Sequence, residues 1–477
     1  MIVMKRWLIL WVFFSIYVSL QAQHQDLQEK PKIWNGDRSA GKDSLSILSA
    51  FRNGKVNGHF RYFYSSTDNT DDLSDYYAHA AGGGLRFETA EFHGLRFAVS
   101  GFYVFNLASS DLEARDPLSG AVNRYEIGLF DIANPSNKDE ISRLEEFYLK
   151  FRVGKKNYIT FGKQLINTPF INLQDGRMRP TQVQGLWSEW QSVSKTDIYA
   201  GWLYSIAPRG TSVWYSLEES IGVYPVGINP DGSKSGYRGN IQTKGAALFG
   251  FRYKLKKSIG FQFWNLYTEN IFNSMLLQSD ATFRLNDQFD IIAGLQAIRQ
   301  DKIGNGGSEN VNEAYFNNDK GALTFGARLG LKSSVNEWTV NFNRITGEGR
   351  YLMPREWGRD PFYTFMPRER NEGYGDVTAL TVQYKWADPK KPWQIGLAGG
   401  YFDMPDIRNT KLNKYAMPSY SQINLDIRYR FSGFFEGTEA QLLVVRKMAA
   451  VDLLENPAHV INKVDMTLIN AVVNFRF

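Results

Sequence analysis

Chemistry in a chain of 477 residues would show first in its histidines, cysteines, serines and clustered carboxylates. The five histidines, His24, His59, His79, His93 and His459, are scattered, and none stands at a metal-ligand spacing from another. There are no cysteines, which excludes a disulfide framework and a thiolate metal site. No G-x-S-x-G elbow, phosphate-binding loop or dinucleotide fingerprint occurs. No strand pattern sets a nucleophilic serine convincingly beside a histidine. Asp68, Asp71, Asp72 and Asp75 could offer oxygens to a hard cation, but between two strand patterns they read more simply as a solvated loop. The chain reads as a non-enzyme with no cofactor.

Two other constellations stand out. The first is a basic set that recurs on one side of strand after strand: Arg61, Arg86, Arg96, Lys150, Arg152, Arg252, Arg284, Arg328, Lys332, Arg428, Arg430 and Arg476. Inside a water-filled pore such a track would concentrate anions and reject cations. A lumen needs polar residues in any case, and Glu88, Asp280 and Asp426 neutralise part of the set. The second is the stretch Asn167–Pro180, with two further features, Asp175-Gly176 and the pair Arg177 and Arg179. Proline fixes φ and stiffens the loop, and Asp-Gly favours a tight turn. A stiff loop carrying both charge signs is suited to fold into a pore and narrow it, with Asp175, Arg177 and Arg179 at the constriction. Composition alone also fits an ordinary surface loop.

The elements that would hold these residues are strands. Aromatics make up 15% of the chain, 42 residues are Gly and mean hydropathy is only −0.36, a mix that suits many strands joined by turns. Lys5 and Arg6 precede an uncharged run, Trp7–Leu20, with small residues before Ala22, so residues 1–22 read as a secretory signal peptide. After it no run of ~18 apolar residues occurs, so no helix is expected to cross a membrane. Residues 23–53 are polar and weakly patterned and read as a periplasmic or lumen-facing lead-in; residues 54–477 carry the strand rhythm. The net charge of +6 comes without a dense basic block, so nucleic acid is not an expected partner.

About 18 period-2 segments follow, each near the ~9–11 residues that a tilted membrane strand needs. Short turns such as His93-Gly94 and Asn286-Asp287 alternate with long loops such as 109–141, 208–242 and 347–373. That alternation predicts an all-β, antiparallel transmembrane barrel in an outer membrane, with both termini on the short-turn, periplasmic side. Phe325, Leu329, Leu425 and Ile427 should face lipid, because each alternates with an Arg or Lys-bearing face. Trp338, Trp386, Trp393 and Tyr401 at strand ends suit interfacial girdles. The last strand pattern ends on Phe477, preceded by Phe475, Val473, Ala471 and Ile469 on one face. A terminal Phe on such a strand resembles the assembly signal of bacterial outer-membrane barrels, which implies the barrel-assembly machinery as a partner.

The run Gly162-Lys-Gln, then Pro169-Phe, then Asp175-Gly-Arg-Met-Arg-Pro180, then Gly185-Leu-Trp187 resembles the stretch after the fifth strand of OprD-type outer-membrane porins. The loop Arg124–Phe130 and the strand count fit the same family. The resemblance implies an 18-stranded barrel, monomeric in the family though a trimer stays open. It implies a pore narrowed by inward loops and a basic ladder that guides carboxylate-bearing solutes. Asp175, Arg177 and Arg179 match its constriction loop, and the inward Arg/Lys set matches the ladder. The long aromatic loop Gly347–Gly373, with Trp357, Phe362, Tyr363 and Phe365, departs from the pattern. The expected function is passive, substrate-selective diffusion of small anionic or zwitterionic solutes, with outer-membrane lipid and lipopolysaccharide around the barrel. A barrel with a non-channel role (adhesin, assembly component or lipid-handling enzyme) is the alternative.

Overall fold

The computed structural model describes residues 31–34, 44–70, 72–139, 141–174, 176–193, 195–451 and 456–477. The signal segment 1–22, His24, Asp71 and Asp175 lie outside the described residues.

The period-2 segments all become strands of one antiparallel sheet: β1 (Lys55–Asp68), β2 (Tyr76–Glu88), β3 (Leu95–Ser109), β4 (Ile141–Val153), β5 (Asn157–Gln164), β6 (Gln182–Val193) and β7 (Thr196–Ala207). β8 (Tyr215–Ser216) is a two-residue strand that pairs with β7. Then come β9 (Ala246–Lys256), β10 (Ile259–Thr268), β11 (Phe272–Arg284), β12 (Asp290–Lys302), β13 (Ala322–Lys332) and β14 (Asn336–Ile345). The last five are β15 (Val377–Ala387), β16 (Trp393–Asp403), β17 (Tyr420–Arg430), β18 (Thr438–Ala449) and β19 (Met466–Arg476). β1 pairs with β19 from His59↔Arg476 to Asp68↔Thr467, so the sheet closes into a barrel of 18 strands with β8 outside the count. Closure leaves no unpaired edge, the condition for a sheet in lipid.

The strand faces divide as the alternation requires. On β1 Phe60 is exposed while its neighbours His59 and Arg61 are buried. Leu295 on β12 is 68% exposed and Leu329 on β13 is 62% exposed, with Gln296 and Arg328 turned the other way. Phe325 and Ile423 are exposed and Asn424 is buried, as expected for a lipid face and a lumen face. Trp338 stacks on Tyr384 at 4.0 Å and Trp393 meets Tyr429 edge-on at 4.5 Å, forming part of a girdle at the short-turn end. There Phe477 stacks on Phe60.

The lumen departs from the wet channel that alternation suggests. Its loop end is filled. Loops L2 (110–140), L3 (165–181) and L7 (346–376) turn inward, and inward apolar residues of the wall pack on them. Trp187, Leu248, Trp264, Leu276 and Ile298 from the strands join Phe170 and Ile171 of L3 and Trp357, Phe362 and Met366 of L7 in one buried cluster. Burying aromatics there removes apolar surface from water at ~25 cal/mol per Å². A lumen lined only by charges could not hold its loops that way.

Residues of the lead-in occupy two places. Trp34 is buried in the lumen, where its indole Nε1 donates to Glu146 at 2.7 Å. Helix α1 (Ile47–Arg52), capped by Ser46, sits at the short-turn rim, with Phe51 stacked on Phe87 and Phe97.

Candidate functional site

L3 is held across the lumen by L7. Thr168 Oγ1 and its backbone N–H bind Ile171, forming a tight hairpin that brings Phe170 and Ile171 to the interior. Asn172 Oδ1 accepts from Arg359 N–H at 3.1 Å, and its Nδ2 donates to Arg359 C=O at 3.0 Å. Thr181 Oγ1 donates to Glu356 C=O at 2.7 Å. L7, the loop that departs from the family pattern, therefore meets L3 inside the barrel, and nearly all of it is buried.

The wall grips L7 by its main chain. Gln296 donates to Pro361 C=O at 2.8 Å, Gln300 to Leu352 C=O at 2.6 Å, and Gln422 and Asn424 to Pro367 C=O at 2.8 and 3.0 Å. Lys447 Nζ donates to Arg368 C=O at 2.7 Å.

The two loop arginines part company. Arg179 is buried, and its fork meets Glu145 of β4, with Nε–Oε1 at 2.7 Å. Its Nη1 meets His59 Nδ1 at 3.1 Å, and the guanidinium lies 4.4 Å from the Phe102 ring and 4.9 Å from Trp34. Arg177 takes a left-handed backbone, φ 47°, unusual for a residue with a Cβ. Its carbonyl accepts from Arg61, and its side chain lines a vestibule among the loops.

That vestibule has a volume of about 990 Å³. Eight cationic side chains line it: Arg124 of L2, Arg177 of L3, Arg209, Lys234 and Arg238 of the loop 208–245, and Arg355, Arg368 and Arg370 of L7. Two carboxylic acids, Glu113 and Glu369, line it as well. Tyr125 and Tyr224 complete it and lie 5.5 and 5.4 Å from the guanidiniums of Arg124 and Arg209. Arg355 Nε is fixed by Glu372 at 2.7 Å, and its guanidinium carbon lies 3.8 Å from the centre of the Tyr415 ring. Burial pushes the Glu356 carboxyl up, with Gly222 and Tyr224 N–H groups pulling the other way. Burial and then Glu372 act oppositely on Lys414 behind the site, leaving it at about 8.

The basic track lies on lumen-facing strand positions, most of it in ion pairs. Arg86 pairs with Glu88 and with Glu146 at 3.2 Å. Arg96 pairs with Glu91 at 2.9 Å, and Arg152 shares the same carboxylate. Arg428 pairs with Asp426 at 2.8 Å and Arg430 with Glu439 at 3.5 Å. Lys332 and Arg284 stand exposed at the turn end, paired with Glu337 and Asp287. Arg61 and Arg328 donate to Asn474 and Asn341, and Arg476 is buried on β19, which pairs with the strand that carries Arg61. Arg252 and Lys150 lie against aromatic rings, Arg252 at 5.6 Å from both Tyr199 and Trp264 and Lys150 at 4.2 Å from Tyr158.

Apart from Arg177, the vestibule cations were not among the expected site residues. A signal for two of them existed. Met353-Pro-Arg-Glu356 recurs thirteen residues later as Met366-Pro-Arg-Glu369, and both arginines reach the vestibule. Among the described residues no group of acids and histidines could hold a metal ion, and Asp75 accepts from Asn69 N–H at 2.8 Å within its loop.

Eighteen strands around inward loops, with a cationic vestibule among those loops, define a substrate-selective outer-membrane channel. The family model for outer membrane porins of the OprD family matches residues 51–365, and the chain belongs to that family. Its work is passage across the outer membrane, not catalysis. Solved structures share the fold. Pseudomonas aeruginosa OpdK with vanillate superimposes at TM-score 0.68 and 13% identity, over 90% of this chain and 99% of that one. Pseudomonas aeruginosa OccK9 (OpdG) gives 0.69 at 13% identity over 90% and 99%. Acinetobacter baumannii OccAB4 gives 0.68 at 14% identity over 89% and 98%. No curated protein matches by sequence.

Proposed function

We propose that this porin passes small carboxylate-bearing solutes, collected in the vestibule and handed past Arg177 to the periplasmic lumen. The observation that carries the reading is the lining: eight cations from four loops against two carboxylic acids. Guanidinium forks match carboxylates in two-point contacts. Low-dielectric loop walls strengthen each contact, while several alternative forks let the solute move on. A relative of the same fold, OpdK, was solved with vanillate, itself a carboxylate.

The test is the reversal potential of the reconstituted channel in a salt gradient. Wild type prefers anions, and the double variant Arg124→Gln/Arg177→Gln moves toward zero selectivity. Conductance in about 1 M salt, where charges are screened within ~3 Å, changes little. Identical reversal potentials in the two proteins would sink the assignment.

A further inference from the structure

The repeated tetrapeptide of L7 narrows the solute further, and the narrowing rests on the carboxylate reading above. In each copy the methionine is buried, the arginine lines the vestibule and the glutamate is buried. The two guanidiniums are held by different supports. Arg355 is clamped by Glu372 and the Tyr415 ring, and Arg368 donates to Asn470 of β19, with its own carbonyl bound by Lys447. Two forks thus stand at fixed places in one vestibule of about 990 Å³. A single carboxylate engages one fork at a time. A solute with a carboxylate at each end can engage both, and the second contact adds to the first without a second loss of translational freedom.

We infer that the vestibule selects dianions, carrying two carboxylates, over monoanions of equal size. The surrounding charge favours this too, because a monoanion answers one of eight lining cations and a dianion two.

The experiment compares succinate with butyrate, both of four carbons, as blockers of chloride current through the full-length channel in bilayers. Succinate is expected to half-block at a concentration about tenfold below butyrate, the effect of one additional charge-assisted contact. Arg368→Gln should bring the ratio close to twofold. Because Arg355→Gln alone would strand Glu372, the second variant is Arg355→Gln/Glu372→Gln, with the same expected loss. Equal block by the two acids in an anion-preferring wild type overturns the dianion inference and leaves the carboxylate reading standing. A succinate advantage that survives in both variants overturns the assignment to these arginines. A wild type without anion preference overturns both readings.

Discussion

Arg179 of L3 and Glu145 of β4 close on one another as a two-point ion pair, both buried in the lumen. Arg143 reaches the same carboxylate at 3.2 Å. The arginine that the sequence placed at the constriction as a solute ligand therefore has its fork occupied by the protein. Its removal should act on loop anchoring more than on selectivity. Arg179→Met leaves a buried carboxylate short of its strongest partner, a loss of ~3–5 kcal/mol for a broken buried pair. The midpoint of heat-induced mobility change should fall, and Arg179→Met/Glu145→Gln should recover much of it. A single variant as heat-stable as wild type would show that the pair does not anchor L3.

Trp34 covers the same guanidinium from the short-turn side and is fastened to Glu146. It stands in the lumen, so Trp34→Ala should raise single-channel conductance and add open-state noise as L3 loses that contact. Unchanged current traces would place Trp34 outside the current path.

Burial, then Asp360, push the Glu369 carboxyl up to about 8, against Lys447 and Arg370. A carboxyl shifted upward on folding stabilises while protonated. That contribution is complete below its unfolded value of ~4.3 and is lost as pH rises to about 8. Deprotonation also adds a negative charge to the vestibule. Thermal midpoint should therefore decline between about pH 4 and pH 8, and anion preference, which follows the charge of the folded protein, between about pH 7 and pH 9. Glu369→Gln should flatten both profiles, and a wild-type selectivity constant over that range would contradict the account.

Leu295 projects from the middle of β12 toward lipid and is 68% exposed. Leu295→Arg should cost ~2–4 kcal/mol and reduce the folded fraction in detergent or vesicles, whereas Leu295→Phe should be tolerated. Equal folding of the two would reverse the assignment of the faces.

Gly58 and Phe477 exchange backbone hydrogen bonds at 2.9 and 3.1 Å, and the Phe477 ring covers the space where a Gly58 Cβ would stand. Deleting Phe477 should slow insertion into the outer membrane without blocking export, and Gly58→Leu should do the same by displacing the ring. Wild-type amounts of folded barrel from both variants would remove the seam from the assembly pathway.

Much of the barrel was legible because its two faces meet different solvents. Lipid on one side and polar groups on the other write a period of two into each strand, and Phe325 against Arg328 is enough to orient β13. The inward course of L3 was legible through its prolines and its Asp-Gly-Arg-Met-Arg-Pro run. The ion pairs were not. Arg86 meets Glu146 from two strands away across the small Ser100 between them, a neighbourhood set by register and invisible along the chain. The position of L7 was also hidden, because Trp357 and Phe362 look the same in a sequence whether they are buried in a lumen or cap an exposed loop.

The way the barrel grips L7 has an evolutionary consequence. Gln296, Gln300, Gln422 and Asn424 hold carbonyl oxygens, which every amino acid carries. Such sockets accept a replacement segment of similar path whatever its side chains spell. The loop is in effect a cartridge, leaving and re-entering the wall at adjacent strands β14 and β15. A lineage can exchange the residues that read a solute while the frame that spans the membrane stays as it was, and an engineer could graft a new filter between Ile345 and Val377 by the same route.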